Sequence, residues 1–280
     1  MNDSLRVFVQ RIAKLPTLPQ IAQDILNLIN DDMVSVSRLE SIIEKDPTIS
    51  ARILSVANSA FFGTGRPVTS VSNAIIRIGF NNVKYISLGV ALMTVHGRER
   101  LDLPLDSRRI FQHSIAVGFV GKALAGVVAD VDPDDAFVGG ILHDIGLLVL
   151  NSYFEVAYRS VIEEFLTIPS LLDAERKVLG FTHDEIGYWL ADKWNLPDMI
   201  LDVINYHHRP SSAVRNRSVV SLVHIADVVT SDHFFRICEK NPSYELDASS
   251  LGLLNLSPER LHAFVAGFDR SIFEGEIFKL

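Results

Sequence analysis

The chain has 280 residues, room for one large domain or two smaller ones, and 48% of them are apolar, so a sizeable core can form. A net charge of −8 argues against a general nucleic-acid binder, which needs a basic face. The lone Cys238 excludes an intrachain disulfide, and no uncharged apolar run reaches the roughly 18 residues of a bilayer span. The nearest such run, 110–128, is interrupted by His113 and Lys122, and Met1-Asn2-Asp3 opens neither a signal nor a transit sequence. Together these features predict a cytoplasmic protein.

Taken in order, the chain reads as helix after helix without alternating strands, an all-α pattern. Thr17, Leu18, Pro19 and Gln20 read as a capping box with proline in the first turn. Leu18, Ile21, Ala22, Ile25, Leu28 and Ile29 follow at helical spacing. Ser37 to Glu40 read as the cap of a second helix with Leu39, Ile42 and Ile43 inward, and Asp46-Pro47 stops it and starts a third. Ile49, Ile53, Leu54, Val56 and Ala57 form the inner face of that third helix, and Phe61 and Phe62 anchor the loop after it. A short helix stops at Gly79, and Asn81 is read as capping the next, which runs through Tyr85, Leu88 and Leu92. The stretch 97–106 reads as a hinge, and the basic clusters 98–100 and 215–217 as solvated turns. Asp106-Ser107 opens a long helix to Ala129, and Asp132-Pro133 opens the helix that carries His143 and Asp144. Helices follow at 154–166 and 170–180, and a capping box from Thr182 to Glu185 places His183 at a helix start. That helix runs to Trp194. The next starts at Pro197 and ends at His207-His208, and Ser218 begins a long helix carrying Asp227. From Ser257 onward the tail reads as one amphipathic helix.

Four motifs in order carry a family resemblance: Leu15-Pro16-Thr17-Leu18-Pro19, Asp46-Pro47, Ala57-Asn58-Ser59-Ala60-Phe61-Phe62-Gly63, and Ala74-Ile75-Ile76-Arg77-Ile78-Gly79. Together they resemble the HDOD domain, an output domain related to the HD-type metal-dependent phosphohydrolases, over residues 10 to 260. The resemblance implies an N-terminal helical lobe, 1–100, and an HD-like C-terminal helical lobe, 101–280. It also implies a bacterial signalling role.

The run Gly139-Gly140-Ile141-Leu142-His143-Asp144-Ile145-Gly146 places an imidazole beside a carboxylate in apolar surroundings. A carboxylate is costly to bury there unless hydrogen-bonded, paired or bound to a cation. Of the nine histidines none precedes His96, so any imidazole site belongs to the later part of the chain. His113 stands three residues after Ile110 and four before Val117, and Asp227 four after Val223 and seven after Val220, so both fall in apolar stripes. A cation is one partner for such groups and a satisfied core pair is another. The resemblance implies that His113, His143, Asp144 and Asp227 hold one ion, with His183, His207 and His208 holding a second and Asp144 bridging. Nitrogen and oxygen donors of this kind suit Fe, Mn, Ni or Zn, as one or two ions. Residue by residue the plainer alternatives stay open: His183 as a first-turn residue, His207 and His208 as helix-end histidines, His224 as a competing ligand or hydrogen-bond partner. Asn58, Phe61 and Phe62 read as structural, and Trp189 and Trp194 as core.

Two departures from the HD-GYP phosphodiesterase branch stand out. Leu147 occupies the place of the lysine three residues after the pair's Asp, and Arg209-Pro210-Ser211-Ser212 follows the histidine pair where that branch has a Gly-Tyr-Pro segment. The expectation is therefore a signalling output or interaction module with a retained metal site. Its partner would be a signalling protein and its ligand a nucleotide, with no nucleic acid and no membrane. With no receiver or catalytic domain in the sequence, its input is expected to arrive by association. The alternative is a metal-dependent phosphohydrolase acting on a nucleotide or cyclic dinucleotide.

Overall fold

The computed structural model describes residue 8 and residues 18–31, 33–63, 65–93, 105–238 and 245–279. Among them every regular element is a helix. The first part comprises α1 (Gln20–Ile29), α2 (Val36–Ile43), α3 (Pro47–Ala57), α4 (Val71–Ile78) and α5 (Phe80–Met93). There follow α6 (Ser107–Ala125), α7 (Pro133–Leu142), α8 (Ile145–Tyr153), α9 (Glu155–Phe165), α10 (Leu171–Val178), α11 (His183–Lys193), α12 (Asp198–Tyr206) and α13 (Arg217–Val229). The chain closes with α14 (Ala248–Leu253), α15 (Pro258–Gly267) and α16 (Glu276–Lys279).

Local chemistry sets most boundaries. Asp46 Oδ1 accepts from the backbone N–H of Thr48 at 2.8 Å and Ile49 at 3.1 Å, with Pro47 in the first position of α3. Gly79 ends α4 at φ +103°, a conformation side-chain-bearing residues rarely adopt. Asn58 is structural as expected: its side chain donates to Val68 O at 2.8 Å and accepts from Val68 N at 2.7 Å, clamping the loop.

Several expected boundaries move. Thr17 lies outside the described residues, as does the stretch 94–104 that holds most of the expected hinge and the cluster 98–100. Pro19 is the residue before α1 rather than inside it. Ser35, not Ser37, caps α2, because its Oγ meets the Arg38 N–H at 3.3 Å. Asn81 lies inside α5, which starts directly after Gly79, so it caps nothing. α6 ends at Ala125, short of Ala129. α13 starts one residue early, after Asn216 turns the chain at φ 50°. The tail is three pieces: α15, a 3₁₀ turn Arg270–Glu274 capped by Asp269, and α16. Neither α14 nor the π-turn Thr230–Phe234 after α13 was foreseen.

His143 and Asp144 do not sit within a helix. The His143 N–H still reaches Gly139 O at 2.9 Å, but Asp144 at φ −96°, ψ 21° breaks the spiral, and α8 begins at Ile145. Among the described residues, Pro133–Tyr153 is long and apolar enough by composition to cross a membrane, but 83% of its most apolar window is buried inside the protein, as in a core element.

One core cluster unites residues on both sides of residue 100, from Ile25, Ile49 and Leu88 to Phe111, Phe137, Ile204 and Ile277. Aromatic rings bridge the two parts: Phe61 stacks on Phe119 at 4.5 Å, Phe119 on Phe137 at 5.9 Å, and Phe62 meets Phe137 edge-on at 5.8 Å. Trp189 and Trp194 pack against the same core. A second cluster fills the space among α6, α12, α13 and α14, with Val117, Val203, Val220 and Leu254.

Candidate metal centre

Five segments bring the seven predicted residues together. His113 lies mid-α6, His143-Asp144 forms the α7–α8 break, His183 opens α11, His207-His208 follows α12, and Asp227 sits in the last turn of α13. α6 is buried on every side from Ile110 to Gly121, so the burial of His113 reflects a wholly enclosed helix rather than an apolar stripe.

Two glycines allow the close approach. A Cβ at Gly140 would lie 2.6 Å from the backbone nitrogen of Gly118 on α6, and one at Gly146 would lie 1.9 Å from the carbonyl oxygen of His183. The first contact sets α7 against α6, the second sets α8 against the start of α11. Glycines flanking the His-Asp pair therefore place it between His113 and His183.

The hydrogen bonds of the imidazoles share one pattern. Nδ1 of His113 faces Phe235 O at 3.2 Å, that of His143 faces Gly140 O at 2.7 Å, and that of His207 faces Ile204 O at 2.9 Å. Nδ1 of His183 faces both oxygens of Glu175 at 2.9 Å. Carbonyl and carboxylate oxygens only accept, so each Nδ1 carries a proton, and a ring that loses its second proton turns an Nε2 lone pair inward. Those atoms converge on two carboxylates. His113 Nε2 lies 2.9 Å and His143 Nε2 3.9 Å from Asp227 Oδ1. Asp144 faces His143 through Oδ2 at 3.2 Å, and His183 and His207 through Oδ1 at 3.3 and 3.6 Å. His208 Nε2 lies 2.9 Å from His183 Nε2.

Lone pairs and carboxylates facing one another are unstable unless positive charge lies between them. Protons on the rings supply it, or a cation does. Nε2 of His143 and Nε2 of His207 are buried and make no well-formed hydrogen bond among the described residues, as expected of atoms awaiting such a partner. The donor atoms fall into two groups, His113, His143 and Asp227 in one and Asp144, His183, His207 and His208 in the other, and within each all lie within 4.8 Å of one another. The residues fit a divalent ion by chemistry and by spacing.

Titration follows from this crowding. Burial opposes charge on the His143 ring, but Asp144 outweighs it and lifts the pKa from 6.5 to about 9. His183, likewise penalised by burial, is held well above the usual imidazole range by Glu175 and Asp144. Burial would raise both carboxylates, yet His143, His183 and His207 hold Asp144 well below the ordinary carboxylate range, and His113 and His143 lower Asp227.

Sequence reasoning missed three participants. Glu175, fully buried on α10, backs His183; its signal was a carboxylate in the stripe Leu171, Ala174, Glu175. Asp184, 2% exposed, takes Arg209 Nη2 at 3.1 Å, tying the start of α11 to the segment after α12. Phe235 contributes only a backbone carbonyl, which no side-chain pattern announces. His224, left open as a ligand or a hydrogen-bond partner, is the latter: Nδ1 meets His207 O at 2.6 Å and Nε2 accepts from Asp247 N at 2.9 Å, so both nitrogens are used.

The HDOD domain profile matches residues 15–210, most of the chain. The protein belongs to the HDOD family. An uncharacterized protein of Treponema pallidum (strain Nichols) is 25% identical over an alignment of 272 residues that covers 95% of this HDOD chain and 51% of the relative, so the chain spans about half the relative's length. Among solved structures, an HDOD domain protein of unknown function from Geobacter sulfurreducens aligns with TM-score 0.70 and 24% identity, over 97% of this chain and 92% of that one. A protein provisionally assigned as a phosphohydrolase from Shewanella amazonensis SB2B aligns with TM-score 0.71 and 21% identity, over 99% and 98%. One provisionally assigned to signal transduction, from Marinobacter aquaeolei VT8, aligns with TM-score 0.71 and 24% identity, over 93% and 58%. These likenesses establish a shared helical fold.

Proposed function

We propose that this HDOD protein is a signal-transduction module built around a retained divalent-cation centre, with His113, His143, Asp144, His183, His207, His208 and Asp227 as ligands. The division into an N-terminal lobe, 1–100, and an HD-like lobe, 101–280, belongs to the same reading, as do a cytoplasmic setting and a signalling protein as partner. The Marinobacter protein's assignment to signal transduction agrees with it.

The observation that carries the reading is a donor set that is almost wholly enclosed and lies beside a leucine. His113, His143, His183, His207, Asp144 and Asp227 are at most 4% exposed. Leu147, where HD-GYP enzymes have lysine, is fully buried in the core, so no cation meets a phosphate from that position. A centre of this kind suits holding the fold in one state more than turning over a substrate. When bound, a divalent ion would polarise a water or a phosphoryl oxygen; the side chains themselves orient the donors and exclude solvent.

Hydrolysis of a nucleotide or cyclic dinucleotide is the second reading. One observation favours it: the Arg209 guanidinium, 38% exposed, stands next to His208 on the less buried flank of the centre and offers donors to an anion. Elemental analysis of the protein as purified tests the metal centre, and loss of that metal in Asp144→Ala tests the ligand set. Metal-loaded protein is then assayed on phosphodiesters and phosphomonoesters. Turnover abolished by Asp144→Ala would move the protein to the second reading.

A further inference from the structure

We propose that Glu175 makes the two halves of the centre unequal: by positioning His183 it renders the Asp144, His183, His207 and His208 group the tighter of two cation positions. The proposal rests on the metal reading above. Three of the four inward-turned imidazoles lean on backbone carbonyls, of Phe235, Gly140 and Ile204. His183 alone leans on a carboxylate. Glu175 is fully buried, and Oε2 also accepts from the His183 backbone N–H at 2.9 Å, so the group grips that residue at two points. A carboxyl group held against an imidazole at two points fixes its tautomer, aims its Nε2, and strengthens it as a donor more than a single neutral carbonyl does. Among the described residues the opposite group, His113, His143 and Asp227, has no such carboxylate behind its imidazoles.

Glu175 could instead serve only as an anchor for the first N–H of α11, where a negative charge is favoured. Glu175→Gln separates the roles. The amide oxygen can still take the backbone N–H. The amide NH₂ then faces Nδ1, which moves the ring proton to Nε2 and blocks the inward lone pair.

The test titrates metal-free full-length protein with Co(II) alone, followed by its visible spectrum and by calorimetry. Wild type is expected to bind two equivalents in two classes. Glu175→Gln is expected to weaken the tighter class 10–100-fold and leave the weaker unchanged. Asp227→Asn is expected to do the reverse, and Glu175→Asp, which keeps the charge, to restore part of the loss. Two classes untouched by Glu175→Gln overturn the proposal and leave the metal reading standing. Wild type that binds no Co(II) overturns the metal reading and the proposal with it. If Glu175→Gln does not fold, Glu175→Asp decides: selective weakening of the tighter class supports the proposal, and unchanged binding overturns it.

Discussion

Gly146→Ala offers a sharp test of how the centre is held. The new Cβ would stand 1.9 Å from the carbonyl oxygen of His183 and 2.8 Å from its carbon, whereas ordinary contact begins at 3.4 Å. The obstacle is backbone, so no side chain can swing aside, and α8 and α11 must part by about 1 Å or more. His183 Nε2, now 3.3 Å from Asp144 Oδ1, is carried off with α11. Metal–ligand distances tolerate only about 0.2 Å, so this shift removes His183 as a donor. Overpacking of this kind costs about 1–3 kcal/mol. For a chain of this size that lowers Tm by on the order of 2–12 °C. Differential scanning fluorimetry on metal-free protein and elemental analysis on loaded protein measure the two effects. Gly252→Ala is the control: a Cβ there meets nothing within 4 Å, and the change is expected to leave Tm equal or slightly raised. A Gly146→Ala protein with wild-type Tm and full metal content would refute the close-approach argument.

Three further predictions follow from the site and the fold. In metal-free protein His143 keeps its proton up to about pH 9, against 6.5 for a free imidazole, so the ring's stabilising interaction is complete below 6.5 and fades as pH rises through about 9. Metal must displace that proton and the one on His183, which is also held above the usual range, so affinity should climb with pH by up to about tenfold per unit for each proton released; pH-independent affinity in calorimetry would contradict this. Asp144→Asn removes the carboxylate that lifts His143, so its imidazole pKa, followed by NMR in metal-free protein, should fall from about 9 toward 6.5; a value held near 9 would count against the assignment. Asn58→Ala deletes two hydrogen bonds to Val68 and should lower stability by about 1–3 kcal/mol in urea melts without changing metal content; a loss of metal in this variant would show the loop to be part of the centre.

What the sequence made legible was local or chemical in kind. Asp46-Pro47 and Gly79 mark helix ends because their backbone chemistry acts over one turn. His113 and Asp227 stood out as polar residues among apolar ones, and the family resemblance ordered the rest of the seven. Less legible was whatever depends on distant partners. Ser35 and Ser37 are equally good caps in sequence, and only the structure shows that Ser35 takes the Arg38 N–H. The break at His143-Asp144 depends on backbones meeting at Gly140 and Gly146, contacts made with residues far away in the chain. Glu175 could have been flagged from its apolar stripe, but its partner could not: the carboxylate finds His183 only after the turn at Gly180 folds α11 back.

The stacked rings of Phe61, Phe119 and Phe137 carry a consequence for how the molecule melts. Among the described residues, neither those up to 93 nor those from 105 onward finish their own interior, because each part supplies rings that the other covers. Cooperativity then extends over the whole chain. Heating should give a single calorimetric peak whose measured enthalpy matches the van't Hoff value, and a fragment cut near residue 100 should expose enough aromatic surface to self-associate.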